Sequence, residues 1–166
     1  CSHDGVLGLM IYMTSYLFMG AGTFSIILLM PRYGQSATRI SDLRGLSKTQ
    51  PLFALGLMVM MFSMAGIPPL AGFFGKWYVF LAAVNAGLVP LAVIGVVMSV
   101  IGAFYYLRII KIMYFEDSEV PLDQDLPLAN KLVLGVSMAV IMLFFAGLNS
   151  IIGAADTATV ALMFPF

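Results

Sequence analysis

Charge is what this sequence has least of. Only 10% of its 166 residues are Asp, Glu, Lys or Arg, against about 25% in an ordinary soluble domain. Hydrophobic residues make up 61%, and the mean hydropathy is +1.03. A chain so short of polar surface reads as a membrane protein. The eight basic and eight acidic residues cancel, so no excess charge is available for nucleic acid or a strongly charged substrate. The single cysteine, Cys1, excludes an internal disulfide framework and a cysteine-based metal cluster. The single histidine, His3, precedes the first apolar run and reads as a loop residue rather than a ligand. There is no dinucleotide fingerprint, phosphate loop, nucleophile–base pair or metal-ligand spacing. Whatever energy drives a process here comes from elsewhere. The chain opens Cys1-Ser2-His3-Asp4, without an initiator Met or a basic n-region. It is expected to be a fragment, a single transmembrane domain over 1–166 whose upstream part is missing.

What is present is a set of long apolar runs. A bilayer core of about 30 Å needs about 20 apolar residues of helix, and four stretches qualify. Helices are expected over 6–30, closed by Pro31, over 51–86, over 90–115 and over 128–152. The tail, 153–166, is too short to span and reads as interfacial. Arg32, Arg39, Arg44 and Lys48 lie in the first connection beside one acid, Asp42. Arg108, Lys111 and Lys131 flank the third connection, whose interior holds Glu116, Asp117, Glu119, Asp123 and Asp125. The second connection and both ends carry no Lys or Arg. Since Lys and Arg set orientation and acids count little, the first and third connections are placed on the cytoplasmic side.

The second run is exceptional. A continuous helix from Pro51 to Ala86 would be about 54 Å long, well beyond the hydrocarbon core. Near its middle stands Gly66-Ile67-Pro68-Pro69. The prolines lack backbone donors, and Pro68 biases Ile67 away from helical geometry. Gly66, Gly72 and Gly75 permit close or unusual backbone paths. The pattern predicts two half-helices joined by an unwound segment at membrane depth. Such a segment survives only when buried in protein or lining a watery cavity, and it marks binding sites in transporters.

Lys76 follows the break. It is the only charge in the 38 residues from Pro51 to Leu88. An ammonium there costs at least about 2.5 kcal/mol. Desolvation and the partly positive start of the second half-helix both act against its charged form, which makes it a usable proton carrier. Snorkelling to a headgroup is strained, because Ala86 lies about 15 Å farther along the helix. Ser63, Ser99 and Tyr105 are further candidates for a hydrated path, with Thr14, Ser15, Thr23, Ser25, Ser137 and Asn149 weaker. Hydroxyls in membrane helices commonly bond their own backbone or a neighbour, and an aromatic belt accounts plainly for Tyr105 and Tyr106. Gly95-xxx-Ser99 and Gly135-xxx-Ala139 read as small-residue packing faces.

The segment Met64-Ala65-Gly66-Ile67-Pro68-Pro69-Leu70-Ala71-Gly72-Phe73-Phe74-Gly75-Lys76-Trp77-Tyr78 resembles the broken twelfth helix of the antiporter-like membrane subunits of respiratory complex I. The likeness extends through Asp42-Leu43-Arg44-Gly45-Leu46 and Ala103-Phe104-Tyr105-Tyr106-Leu107-Arg108-Ile109. It implies an all-α fold, the C-terminal part of an inverted-repeat bundle with four transmembrane helices, the second discontinuous. It implies that Lys76 carries protons, and that this chain binds no redox cofactor. NADH, FMN, iron–sulfur clusters and quinone would then belong to other parts of an NADH–quinone oxidoreductase. Partners would be other membrane subunits and the bilayer, in a bacterial inner membrane or, if organellar, a mitochondrial one. Lysine at position 76 and a chain ending after the fourth helix set it apart from the M-type and L-type members. Alternatives left open are a subunit of a multisubunit cation/proton antiporter or membrane-bound hydrogenase, and a purely structural assembly subunit.

Overall fold

The computed structural model describes residues 2–27, 31–32, 35–36, 39–117 and 127–163. It is an all-helical bundle. Helix α1 spans His3–Ile27, followed by a two-residue antiparallel pairing of β1 (Pro31–Arg32) with β2 (Gln35–Ser36). A single 3-10 turn, Ile40–Leu43, and a short α2, Leu46–Thr49, lead into α3, Pro51–Ala65. Then come α4, Ala71–Asn85, α5, Val89–Phe115, α6, Leu128–Leu143, and α7, Leu148–Met163. The expected end of the first helix at residues 28–30 and the acids Glu119, Asp123 and Asp125 lie outside the described residues.

Pro51 opens α3 in the first turn, where a missing N–H costs nothing. The helix ends at Gly66, and α4 begins after Leu70, so the expected break at 66–69 falls between two 15-residue helices. Helices α1 and α5 are each long and apolar enough to cross a bilayer. The stretch expected over 51–86 is divided between α3 and α4, and the stretch expected over 128–152 between α6 and the start of α7.

The fourth expected helix, 128–152, differs from the structure. It stops at Leu143, and α7 leaves at 97° to α6. The turn coincides with aromatic packing on α4. Phe144, 2% exposed, stacks on Phe74 at a centroid distance of 6.1 Å, and Phe145 stacks on the same ring at 6.0 Å. Gly147 lies in the turn, its N–H donating to the Leu143 carbonyl at 3.2 Å. Gly147, Asn149 and Ser150 mark this point in the sequence, but within a run otherwise apolar enough to read as one helix. The tail expected to be interfacial is helical through Met163.

The core lies between α1, α3, α4 and α6. Helix α1 buries Ile11, Ser15, Met19, Thr23 and Ile26, a stripe at helical spacing. Facing it are Ala54, Leu57, Met60 and Met61 of α3 and Leu134, Ser137 and Ile141 of α6. Helix α5 packs on α3 and α4 and leaves most of its apolar surface open. Two glycines let α1 and α4 meet backbone to backbone. A Cβ on Gly8 would stand 3.1 Å from the Tyr78 carbonyl carbon and oxygen, and one on Gly75 3.1 Å from Tyr12 Cα. By contrast, Gly135 has nothing within 4 Å of its Cβ position, so the packing face expected there meets no neighbour among the described residues.

Charged and polar contacts close both ends of the bundle. Arg44 Nε donates to Glu116 Oε2 at 2.8 Å, and Lys48 pairs with Asp117. Arg44 and Lys48 of the first connection therefore sit beside Glu116 and Asp117 just past α5. Both pairs are largely exposed and contribute at most about 1 kcal/mol each. At the far end Asn85 Nδ2 lies 3.5 Å from Asp4 Oδ2, and His3 Nε2 lies 3.1 Å from Asp156 Oδ1. His3 is the first residue of α1 rather than a loop residue.

A Gly8→Leu substitution presses a side chain on the Tyr78 backbone, which cannot rotate aside. It is expected to cost about 1–3 kcal/mol or more and to lower the membrane level of the full-length protein. An unchanged level on quantitative immunoblots would show that α1 and α4 do not meet there.

Candidate functional site

The site is built where α3 stops. Gly66 adopts φ 87° and ψ 39°, left-handed geometry that glycine enters without a Cβ clash. The Gly66 N–H donates to the Ser63 carbonyl at 2.9 Å, and the Ile67 N–H to the Phe62 carbonyl at 3.1 Å. This pair of bonds is a Schellman ending. It satisfies the carbonyls of Phe62 and Ser63 and leaves those of Met64 and Ala65. Lys76 supplies the missing donor. Its Nζ donates to Met64 O at 2.8 Å and Ala65 O at 3.3 Å. Its stem lies along Gly66, whose Cβ position is 3.3 Å from Lys76 Cδ.

The third donor of the ammonium meets Ser99 Oγ of α5 at 2.5 Å. Among the described residues no carboxylate stands within ion-pair distance of Lys76. Three charge-assisted bonds at about 1.5–3 kcal/mol each, plus the negative C-terminal end of α3, offset a desolvation cost of a few kcal/mol. Among the described residues the ammonium is therefore held by these three bonds and not by a counter-ion. Here the structure corrects the sequence reading. That reading set Lys76 against the positive start of its own helix, whereas the side chain folds back to the negative end of the preceding one.

The other end of the break is capped in return. The N–H of Gly72, one of the unpaired amides in the first turn of α4, donates to Ser63 Oγ at 3.0 Å. Ser63 is fully buried. The two half-helix ends overlap so closely that a Cβ on Gly72 would lie 1.9 Å from the Ser63 carbonyl oxygen. Pro68 and Pro69 sit on the exposed turn between them, joined by a cis bond. Gly75, one turn from the break, serves the α1 contact.

Beside Lys76 lies a cavity of 470 Å³, walled by α1, α4 and α5 with Met64 of α3. Lys76, Ser99 and Gly72 line it, together with Tyr12, Tyr16 and Tyr106. Of the three path candidates, Ser99 touches the ammonium, Ser63 caps α4, and Tyr105 is 59% exposed and faces away. Its neighbour Tyr106 is the cavity residue, because one helical step turns the side chain by about 100°. Sequence reasoning missed Tyr12 and Tyr16. Their spacing of four on one face of α1, opposite the face of Lys76, was the signal that could have found them. Thr14, Ser15 and Ser25 instead donate to the carbonyls of Met10, Tyr12 and Gly22 in their own helix, each at 2.8 Å. Among the described residues no group of three or more His, Cys, Asp or Glu is arranged to hold a metal.

Residues 1–102 match the family described as NADH:quinone oxidoreductase/Mrp antiporter, transmembrane. The chain is 52% identical over 161 residues to NADH-quinone oxidoreductase subunit N of Rhodospirillum rubrum, covering 97% of this chain and 33% of that one. Subunit N of Parvibaculum lavamentivorans is 52% identical over 160 residues, covering 96% and 33%. The chain thus spans about a third of the length of these curated relatives. Among solved structures, respiratory complex I from Thermus thermophilus with bound aureothin superposes with a TM-score of 0.80 at 25% identity, over 90% of this chain and 34% of that one. The Mrp complex from Dietzia sp. DQ12-45-1b superposes with a TM-score of 0.85 at 23% identity, over 99% and 39%.

Two glycines that line this cavity should respond differently to an added methyl. Gly72→Ala drives Cβ into backbone and is expected to destabilise the full-length protein by about 1–3 kcal/mol or more. Gly102→Ala, with nothing within 4 Å, is expected to be near neutral. Equal thermal midpoints of the two variants in detergent would contradict the overlap of the half-helices.

Proposed function

This chain belongs to the NADH:quinone oxidoreductase/Mrp antiporter transmembrane family, and on that footing we propose that it is part of a proton-translocating subunit N of a bacterial NADH–quinone oxidoreductase. Lys76 is the proton-carrying residue. The observation that carries the reading is the placement of its ammonium at the broken helix, held by two main-chain carbonyls and Ser99 beside a cavity. Among the described residues Lys76 has no carboxylate partner, so no ion pair between them is lost when it gives up its proton. The cavity gives that proton somewhere to go. Tyr12, Tyr16, Tyr106 and Ser99 provide hydroxyls from which a water chain can be strung, and the rest of the subunit holds the other stations.

In this reading the chain performs no redox step. NADH oxidation at FMN, transfer through iron–sulfur clusters and quinone reduction belong to other subunits. Their energy arrives as a change in electrostatics or conformation that alters the protonation of Lys76. The partners are the neighbouring membrane-arm subunits, in the bacterial inner membrane.

A second reading, a cation/proton antiporter subunit, is supported by the likeness of fold to the Mrp complex. Deleting the gene separates the two. Loss of NADH–quinone activity is expected, and sodium sensitivity with that activity intact would favour the antiporter.

Lys76→Ala in the full complex is expected to lower proton pumping coupled to NADH oxidation by about 100-fold or more, the scale of losing a proton-transfer group, while the complex still assembles. Proton uptake by inverted membrane vesicles measures it. Unchanged pumping would refute the role of Lys76.

A further inference from the structure

Most polar side chains in these helices are accounted for locally, but Ser63 is not. The hydroxyls of Thr14, Ser15 and Ser25 return to their own helix backbone. Ser63 Oγ instead reaches across the break to the Gly72 N–H at 3.0 Å, at a point with no solvent exposure. The numbering of the contacts is informative. Met64 and Ala65 follow Ser63 by one and two residues, and Lys76 follows Gly72 by four, one helical turn on the same face. The same short stretch of α3 therefore meets α4 twice, once at Gly72 through Ser63 and once at Lys76 through the free carbonyls.

We propose that Ser63 is a positioning residue for Lys76: its hydroxyl sets the register of α4 against α3 and so places the ammonium on the Met64 and Ala65 carbonyls. This inference rests on the reading of Lys76 as the proton carrier. A slip of one residue along α4 moves the chain by 1.5 Å and turns it by about 100°. Either displacement takes Nζ out of the geometry that gives 2.8 Å to Met64 O. Proline and glycine break the helix, but neither sets a register. Pro69 has no N–H to anchor, and Gly66 tolerates many backbone paths. The Ser63 bond is a fixed point that links the two halves through a side chain. The hydroxyl also acts at the amide end of α4, where a capping oxygen is most effective.

The test uses the full-length subunit in its assembled complex, in inverted membrane vesicles, with assembly followed on native gels. Ser63→Ala, which only removes atoms, is expected to lower proton pumping per NADH oxidised about fivefold, the equilibrium shift of one lost cap. Ser63→Thr and Ser63→Val have the same shape and differ in the hydroxyl, so Ser63→Thr is expected to pump several-fold better than Ser63→Val. In a Lys76→Ala background, Ser63→Ala is expected to cause no further loss, because residues that act through one another are not additive. Wild-type pumping in Ser63→Ala, equal pumping in the Thr and Val variants, or an additive loss in the double variant would each overturn the positioning role. If Lys76→Ala itself pumps normally, the carrier reading fails and takes this one with it. If Lys76→Ala is inactive and Ser63→Ala normal, only the positioning role is lost.

Discussion

A helix cut in two within a membrane exposes up to four amides at one new end and four carbonyls at the other. Little water is available there to satisfy them. The centre of this protein is organised around that shortage. The Schellman ending at Gly66 answers two carbonyls of α3, and Lys76 from α4 answers the next two. Ser63 from α3 answers an amide of α4. Each half-helix thus caps the other, and the caps require the two ends to overlap. The overlap in turn requires glycine at position 72, where no side-chain atom fits. The break is a pair of interlocked ends rather than a loose linker.

That arrangement changes what the buried charge means. An ammonium in a span is a cost of a few kcal/mol when it stands alone. Placed on two carbonyls at the negative end of a helix, with a serine hydroxyl completing its three donors, it becomes a structural cap as well. The protonation of Lys76 and the strength of the joint between α3 and α4 are then one variable. A neutral amine still donates, but without the charge that roughly doubles such bonds. The neighbouring helices serve this joint: α1 fits against α4 through Gly8 and Gly75, and α5 supplies Ser99.

Much of this was legible beforehand, for reasons that differ by residue. Span length against helix rise exposed the broken helix, and Pro68, Pro69 and Gly66 located it to within a residue or two. The separation of basic connections from uncharged ones is a one-dimensional signal, and the Arg44–Glu116 pair places the first connection beside the end of α5. Other features were not legible. At the turn Phe144 packs on Phe74, a residue 70 positions earlier, and that pairing is not written in the local sequence. The choice between Tyr105 and Tyr106 is a matter of helix rotation, which an evenly apolar helix does not encode. The direction in which Lys76 reaches was also hidden, because a long flexible stem can serve either end of the break.

By itself the sequence determined that this is a membrane-spanning helical protein with a discontinuous helix and one charge beside the discontinuity. Those are consequences of composition, helix rise and the backbone chemistry of glycine and proline, all of which are local. Only the tertiary structure decided which groups the break left unpaired and who would satisfy them. Hydrogen bonds such as Lys76 to Met64, Ser63 to Gly72 and Lys76 to Ser99 join residues nine to 23 positions apart. They exist only once the half-helices are folded side by side.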